Sequence, residues 1–215
     1  MKEKDLVKNI NEYLLDNDYY YGNEIRMGTG IPDVMIGLSL NPSITYFDNY
    51  YHISILDNII KNDLFTVDSL IDYINLPRNK VKQIIKELYN IDALELINNK
   101  IFINQNIKLV GKGVNISIEV KIRDWKNGLL QAQRYLNFSD YSYLALKSDY
   151  VKNIDMDIAD KYGIGIISLM GDELIEILKP RKSQKCDYIF KNISLAQLKK
   201  LKKGYSSKSS FLSIS

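Results

Sequence analysis

Three ionisable side chains sit where charge is costly. Asp33 follows Pro32 at the head of an apolar run, Gly30-Ile-Pro-Asp-Val-Met-Ile-Gly37, and Glu119 and Lys121 lie inside a second run, Ile118-Glu-Val-Lys-Ile122. An unpaired carboxylate in a buried strand is unfavourable, so each acid needs a partner or a task. Side chains two apart on a strand share a face, roughly 6.5–7 Å apart along the chain. Glu119 and Lys121 therefore project together, while Ile118, Val120 and Ile122 face the core. Clustered carboxylates with a lysine suit phosphodiester hydrolysis. The acids hold a metal that polarises the phosphate and lowers the pKa of the attacking water, and the ammonium meets the developing charge. Two acid-x-Lys triplets occur, Glu119-Val-Lys121 and Asp124-Trp-Lys126. Only the first lies in an apolar strand; Asp124 reads as a helix N-cap. For Glu119 and Lys121 taken alone, a plain ion pair competes with catalysis.

Composition narrows the metal. One histidine and one cysteine, Cys186, exclude a His-rich site and an internal disulfide. Any ion must be a hard one held by carboxylates, Mg2+ or Mn2+, and a reduced, cytoplasmic setting is expected. No stretch approaches the roughly 18 apolar residues of a membrane helix, and the charged start, Met1 to Lys8, does not read as a secretory signal; no membrane partner is expected. No Gly-rich phosphate loop, nucleophile elbow or zinc spacing supports nucleotide-driven or other hydrolase chemistry. Charge is uneven. Residues 179–215 hold ten Lys or Arg and one acid, a net of +9 within a chain of +3, which leaves −6 on residues 1–178. A basic tail on an acidic body fits a polyanionic partner, since lysines gain by releasing counterions from phosphates; a solvated C-terminus is the bland alternative.

The elements that must position these residues alternate. Asp5 to Leu15 has helical spacing, Tyr19 to Met27 and Ile31 to Leu38 read as strands around a Gly28–Gly30 turn, and Asn41-Pro42-Ser43 breaks the run. After the break come helices over His52–Lys61 and Thr66–Tyr73. A third starts near Pro77, with Val81, Ile84, Ile85 and Leu88 at i, i+3, i+4, i+7. Ala93–Ile97 and Lys100–Asn104 flank Asn98-Asn99 as a hairpin. Strands over Val114–Ile122, Tyr141–Leu146, Gly163–Leu169 and Glu173–Leu178 then alternate with helices over Trp125–Phe138 and Ile154–Lys161, and a basic helix over Leu195–Leu201 ends the chain. The pattern predicts an α/β fold, a mixed sheet flanked by helices.

Gly30-Ile-Pro-Asp33, then Glu119-Val-Lys121, then Gln131-Ala-Gln-Arg-Tyr135 on a helix resembles, in this order, the PD-(D/E)xK nuclease superfamily. The last part is similar to the QxxxY motif of its exonuclease-V-type members. Asp124-Trp-Lys-Asn-Gly-Leu-Leu-Gln-Ala-Gln-Arg-Tyr-Leu also resembles members carrying Trp-Lys-x-Ala-Leu-x-Gln-Ala-x-Arg-Tyr. The resemblance covers most of residues 1–47 and 106–180 and implies a restriction-endonuclease-like fold with Mg2+ or Mn2+ as cofactor and DNA as partner. It also implies that Asp33, Glu119 and the Val120 carbonyl ligate the metal. Lys121 would orient water or stabilise phosphate charge, and Gln131 and Tyr135, one helical turn apart, would steady Lys121 and the DNA backbone. Gln133 competes with Gln131, and Tyr135 also fits a plain core position beside Trp125, Leu129 and Leu136. Many members place a glutamate in the first helix or on the first strand. Glu24 is the candidate here, with a surface ion pair to Arg26 as its alternative. Many such enzymes dimerise, so a homodimer is an expectation by resemblance.

The departure from that family is the gap between Asp33 and Glu119. About 80 residues replace a hairpin, and a loop so long needs structure of its own. Three helices and a hairpin supply it, in winged-helix order. The domains read as a discontinuous nuclease domain (1–47 and 106–193), an inserted winged-helix module (48–105) and a basic C-terminal helix and tail (194–215). On the module's third helix Asn79, Lys82, Gln83 and Lys86 face outward, Arg78 stands at its start, and Lys100 falls at the wing tip. Such a stripe suits DNA, lysines on phosphates and Arg, Asn or Gln at base edges. Residues 50–105 carry seven acids against six Lys or Arg, so protein contact stays open. The expected function is a metal-dependent DNA endonuclease of restriction, repair or mobile-element processing. The alternatives are a non-catalytic DNA-binding regulator on a nuclease-like scaffold, and a protein-interaction module whose tail binds RNA or an acidic partner.

Overall fold

The computed structural model describes residues 2–16, 19–40, 47–62, 66–104 and 113–201. The chain forms α1 (Glu3–Asp16), β1 (Tyr20–Asn23), β2 (Val34–Leu38), α2 (Tyr50–Asn62), α3 (Val67–Tyr73), α4 (Arg78–Asn90), β3 (Leu94–Ile97), β4 (Lys100–Ile103), β5 (Val114–Lys121), α5 (Trp125–Tyr135), β6 (Tyr141–Lys147), α6 (Ser148–Val151), α7 (Met156–Tyr162), β7 (Gly165–Met170), β8 (Glu173–Leu178) and α8 (Tyr188–Leu201). They fall into two compact units, Met1–Asn41 with Lys112–Ser215, and Pro42–Gly111. No helix among the described residues is long and apolar enough to cross a membrane.

The first unit is α/β. Its six-stranded mixed sheet runs β1-β2-β5-β6-β7-β8, parallel from β5 to β7 and antiparallel elsewhere. Period-2 alternation sends the strand residues to two covered faces. Ile116, Ile118 and Val120 of β5 pack with Leu6, Ile10 and Leu14 of α1. Leu144 and Leu146 of β6 pack on the other face with Leu129 and Ala132 of α5 and Ala159 of α7. Between them β5 turns a polar row, Asn115, Ser117 and Glu119, towards the α5 side, all buried. Asn115 is fully used there, donating to the Phe138 carbonyl and Ser194 Oγ at 2.6 Å each and accepting from the Asp140 amide. Lys191 of α8 closes the network on Asp140, at 2.9 and 2.8 Å from its two carboxylate oxygens.

Several expected boundaries move. The first strand stops at Asn23, because Glu24 takes a left-handed φ of 50°; Glu24 and Arg26 thus share no strand face, and both are exposed. The second strand begins at Val34, which leaves Asp33 just outside it. The C-terminal helix starts at Tyr188, not Leu195, and is no separate tail, since Leu195, Ala196 and Leu198 are buried. Its first turns bury Asn192 and Ser194, polar residues that interrupt an apolar period. The break at Asn41-Pro42-Ser43 and the tail beyond Leu201 lie outside the described residues.

The second unit packs α2, α3 and α4 and carries a two-stranded hairpin, β3 and β4. Ile53, Ile55, Leu56, Leu70, Val81, Ile84, Ile85 and Leu88 are buried, as their helical spacing requires. Thr66 caps α3 reciprocally with Ser69, Oγ1 accepting the Ser69 amide at 3.0 Å and Ser69 Oγ accepting the Thr66 amide at 3.2 Å. Asn98 and Asn99 both turn left-handed, φ 51° and 63°, which a two-residue hairpin turn requires.

Candidate active site

β2 and β5 run antiparallel with Val34 opposite Ile118. Extending that register by one residue sets Asp33 across from Glu119 on the α5 side of the sheet. Asp33 Oδ2 accepts the Val120 amide at 2.7 Å, filling the place of a strand partner where β2 has not yet begun. Its own carbonyl accepts from Asn23 Nδ2 at 3.0 Å, and Asn23 in turn pairs with Asn11 of α1. Asp33 is therefore fixed from both sides.

Glu119 is only 2% exposed, and both its oxygens are held. Oε1 receives the Lys121 ammonium at 2.5 Å; Oε2 accepts the Tyr135 hydroxyl at 2.5 Å. That hydroxyl also lies 3.1 Å from the Ile31 carbonyl, which ties α5 to the segment entering Asp33. Gly30 makes room for the Tyr135 ring, since a Cβ there would stand 2.6 Å from it. Gly128 does the same for the lysine; a Cβ would meet Leu144 Cδ1 at 2.6 Å and Lys121 Cγ at 3.0 Å.

Burial of this group shows in the proton affinities of Asp33, Lys121 and Tyr135. Burial, with the Glu119 charge adding, pushes the Asp33 carboxyl up to about 6 against the pull of the Val120 amide and Lys121. Burial alone would lower the Lys121 amine, but its hydrogen bond to Glu119 and the charges of Glu119, Glu3 and Asp33 hold it above its ordinary value. Burial and the Glu119 carboxylate keep the Tyr135 phenol protonated well above the usual tyrosine range.

The donor set suits a hard divalent ion. All candidate ligand atoms are oxygens, and a cation is already lodged among them: the Lys121 ammonium sits 2.5 Å from Glu119 Oε1 and 3.3 Å from the Val120 carbonyl. Among the described residues no three His, Cys, Asp or Glu side chains form an ion-binding group. An ion here would use two carboxylates, the carbonyl and water, as Mg2+ commonly does.

The structure thus gathers Asp33, Glu119, Val120, Lys121 and Tyr135. Gln131 is half-buried one turn before Tyr135, but its amide makes no hydrogen bond among the described residues. Glu24 is exposed and makes no hydrogen bond or ion pair to the group among the described residues. The acid that sequence reading overlooked is Glu3, in the first turn of α1, whose Oε2 lies 3.9 Å from Lys121 Nζ. A glutamate in the first helix was the available signal.

In the second unit Asn79, Lys82, Gln83 and Lys86 are all exposed on α4. Two of the candidate contacts are engaged internally. Arg78 pairs with Asp68 at 2.8 Å, and Gln83 donates to Glu87 Oε1 at 2.8 Å, while the other Glu87 oxygen lies 2.9 Å from His52 Nε2. Lys82 and Lys86 form no ion pair among the described residues, and Lys100 is exposed at the start of β4.

Comparison with known proteins gives no match for the chain, whether to family models, curated proteins or solved structures.

Proposed function

We propose that the protein is a Mg2+- or Mn2+-dependent DNA endonuclease of restriction-endonuclease-like fold, with a winged-helix module between its two catalytic strands. One observation carries this reading: Asp33 and Glu119, 86 residues apart in sequence, meet beside Lys121 at the junction of β2 and β5. Two carboxylates pressed together in a largely apolar setting, one of them held up to about 6, gain from a divalent cation that relieves their repulsion. Asp33, Glu119 and the Val120 carbonyl would hold the ion, which when bound supplies Lewis acidity towards phosphate and a more acidic water.

The chain's own groups do the rest. Tyr135, by donating to Glu119 Oε2, fixes the carboxylate in one rotamer. Asn23 and the Val120 amide fix Asp33. Lys121, once parted from Glu119 Oε1, presents its ammonium to the scissile phosphate or to the attacking water. Its stem lies against Gly128, where a Cβ would crowd Lys121 Cγ at 3.0 Å. Lys82 and Lys86, with Asn79 beside them, are the cations and amide of α4 that remain open to a duplex.

The test is cleavage of single-stranded, duplex, branched and methylated DNA with Mg2+ or Mn2+. Lys121→Ala and Asp33→Ala should abolish cutting in folded protein. Equal residual cutting in both variants would mark a contaminant. DNA binding without cutting in the wild type would favour a non-catalytic regulator, in which the Glu119–Lys121 pair is structural.

A further inference from the structure

A cleft of about 360 Å³ opens in the first unit where α5 and α7 end against the segment that follows β8. Its walls include Gln133, Lys161, Arg181, Lys182, Ser183 and Lys185, and no acidic residue lines it. The volume falls in the range of small-ligand sites. It is not the carboxylate site, because Gln133 lies two residues before Tyr135 on α5. That is roughly 200° round the helix, on the side turned away from Glu119.

Some of this charge has a structural task. Arg181 donates to the Asp160 carbonyl at the end of α7, lies 3.8 Å from the Asp160 carboxylate, and its amide bonds to the Gly163 carbonyl. Ser183 Oγ closes α5 by donating to the Leu136 carbonyl. Lys161, in the last turn of α7, also complements a helix end. Lys182 and Lys185 serve no helix terminus, and neither they nor Lys161 form an ion pair among the described residues. The half-buried amide of Gln133 makes no hydrogen bond there either. Ammonium groups of one sign around a concave wall concentrate field and attract counterions, and an open amide adds a directional donor.

We propose that this cleft binds a phosphate group, carried by a nucleic-acid strand or by a free pyrophosphate-like anion. A lining that offers ammonium and amide donors and no acid matches tetrahedral oxyanions. The inference stands apart from the hydrolytic reading, because the cleft shares no residue with the Asp33–Glu119 centre.

Titration calorimetry with inorganic pyrophosphate, and anisotropy with a labelled single-stranded oligonucleotide, test it on the full chain in EDTA. Lys182→Ala with Lys185→Ala should weaken binding about a hundredfold, since each lost charge-assisted bond is worth roughly a decade. Asp33→Asn should leave pyrophosphate binding unchanged, and Lys182→Arg with Lys185→Arg should retain it. Binding of both probes identifies the bare phosphate as ligand; binding of the oligonucleotide alone assigns the cleft to a strand. Wild-type binding of neither probe, or equal binding by the wild type and the double alanine variant, overturns the proposal. Loss of cleavage in Asp33→Asn with the cleft's binding intact would bear only on the catalytic centre.

Discussion

Asp33→Asn should stabilise the metal-free protein while removing its response to Mg2+. Asparagine keeps an oxygen to accept the Val120 amide but carries no charge beside Glu119. The carboxyl is held at about 6 in the fold against 3.8 ordinarily, so the folded state binds its proton more tightly than the unfolded chain. The sign follows. The group's stabilising contribution is full below about 4, shrinks as pH rises through the interval to about 6, and above that stays as a fixed penalty. At 1.36 kcal/mol per pH unit the fully buried figure is about 3 kcal/mol. Asp33 is only half-buried, and water screening reduces this to about 1–2 kcal/mol. Removing the charge should therefore raise Tm by about 2–6 °C in EDTA at pH 7.5 for a chain of this size. The advantage should fade towards pH 4.5. Differential scanning fluorimetry across that range, with and without Mg2+, is the assay. Mg2+ should raise the wild-type Tm and leave the variant unmoved. A destabilised Asp33→Asn protein at pH 7.5, or a difference independent of pH, would refute the reasoning.

Other outcomes are expected from the same geometry. Tyr135→Phe strips Glu119 Oε2 of its donor in a buried site and should cost about 1.5–3 kcal/mol, read from the denaturant midpoint, together with a fall in cleavage rate. Lys121→Met should lower the cleavage rate constant about 10²–10³-fold and, because it leaves the buried Glu119 carboxylate without its cation, should also lower the unfolding midpoint, at a cost of about 3–5 kcal/mol. Lys82→Ala with Lys86→Ala should weaken duplex binding and reduce the slope of log K against log salt by about 1.8, two phosphate contacts at 0.9 each; an unchanged slope would assign α4 to a protein partner. Lys191→Met leaves the Asp140 carboxylate buried without its cation and should cost about 3–5 kcal/mol, seen as a lowered unfolding midpoint.

Local pattern made some of this readable. The alternation Ile118-Glu-Val-Lys gave the faces of β5, and Val81, Ile84, Ile85 and Leu88 gave the buried stripe of α4, because each signal is contained within a few residues. The Asn98-Asn99 turn was equally local. Long-range events were hidden. Nothing near Tyr135 indicates that its hydroxyl reaches Glu119, and beyond its place in the first helix nothing about Glu3 indicates that its carboxylate ends beside Lys121. Both depend on how α5 and α1 settle on opposite faces of the sheet. Glu24 misled because apolar residues recur past Asn23, at Ile25 and Met27, whereas the backbone turns left-handed at Glu24 itself. The start of α8 was obscured because two polar residues are buried in it: Ser194 accepts from Asn115 of β5, and Asn192 donates back to the Tyr188 carbonyl of its own helix.

The 75 residues between β2 and β5 also bear on the order of assembly. Joining those strands directly through an unstructured connection of that length carries a closure entropy of about 4 kcal/mol. If the helices and hairpin of the second unit consolidate first, the connection shortens to roughly 20 residues and the figure drops by about 1 kcal/mol. The inserted unit then acts as a staple, so that weakening its own interior, for instance at Leu88, should slow the pairing of Val34 with Ile118. The rate at which Asp33 meets Glu119 would thus be set in part by a hydrophobic cluster that belongs to a different folding unit.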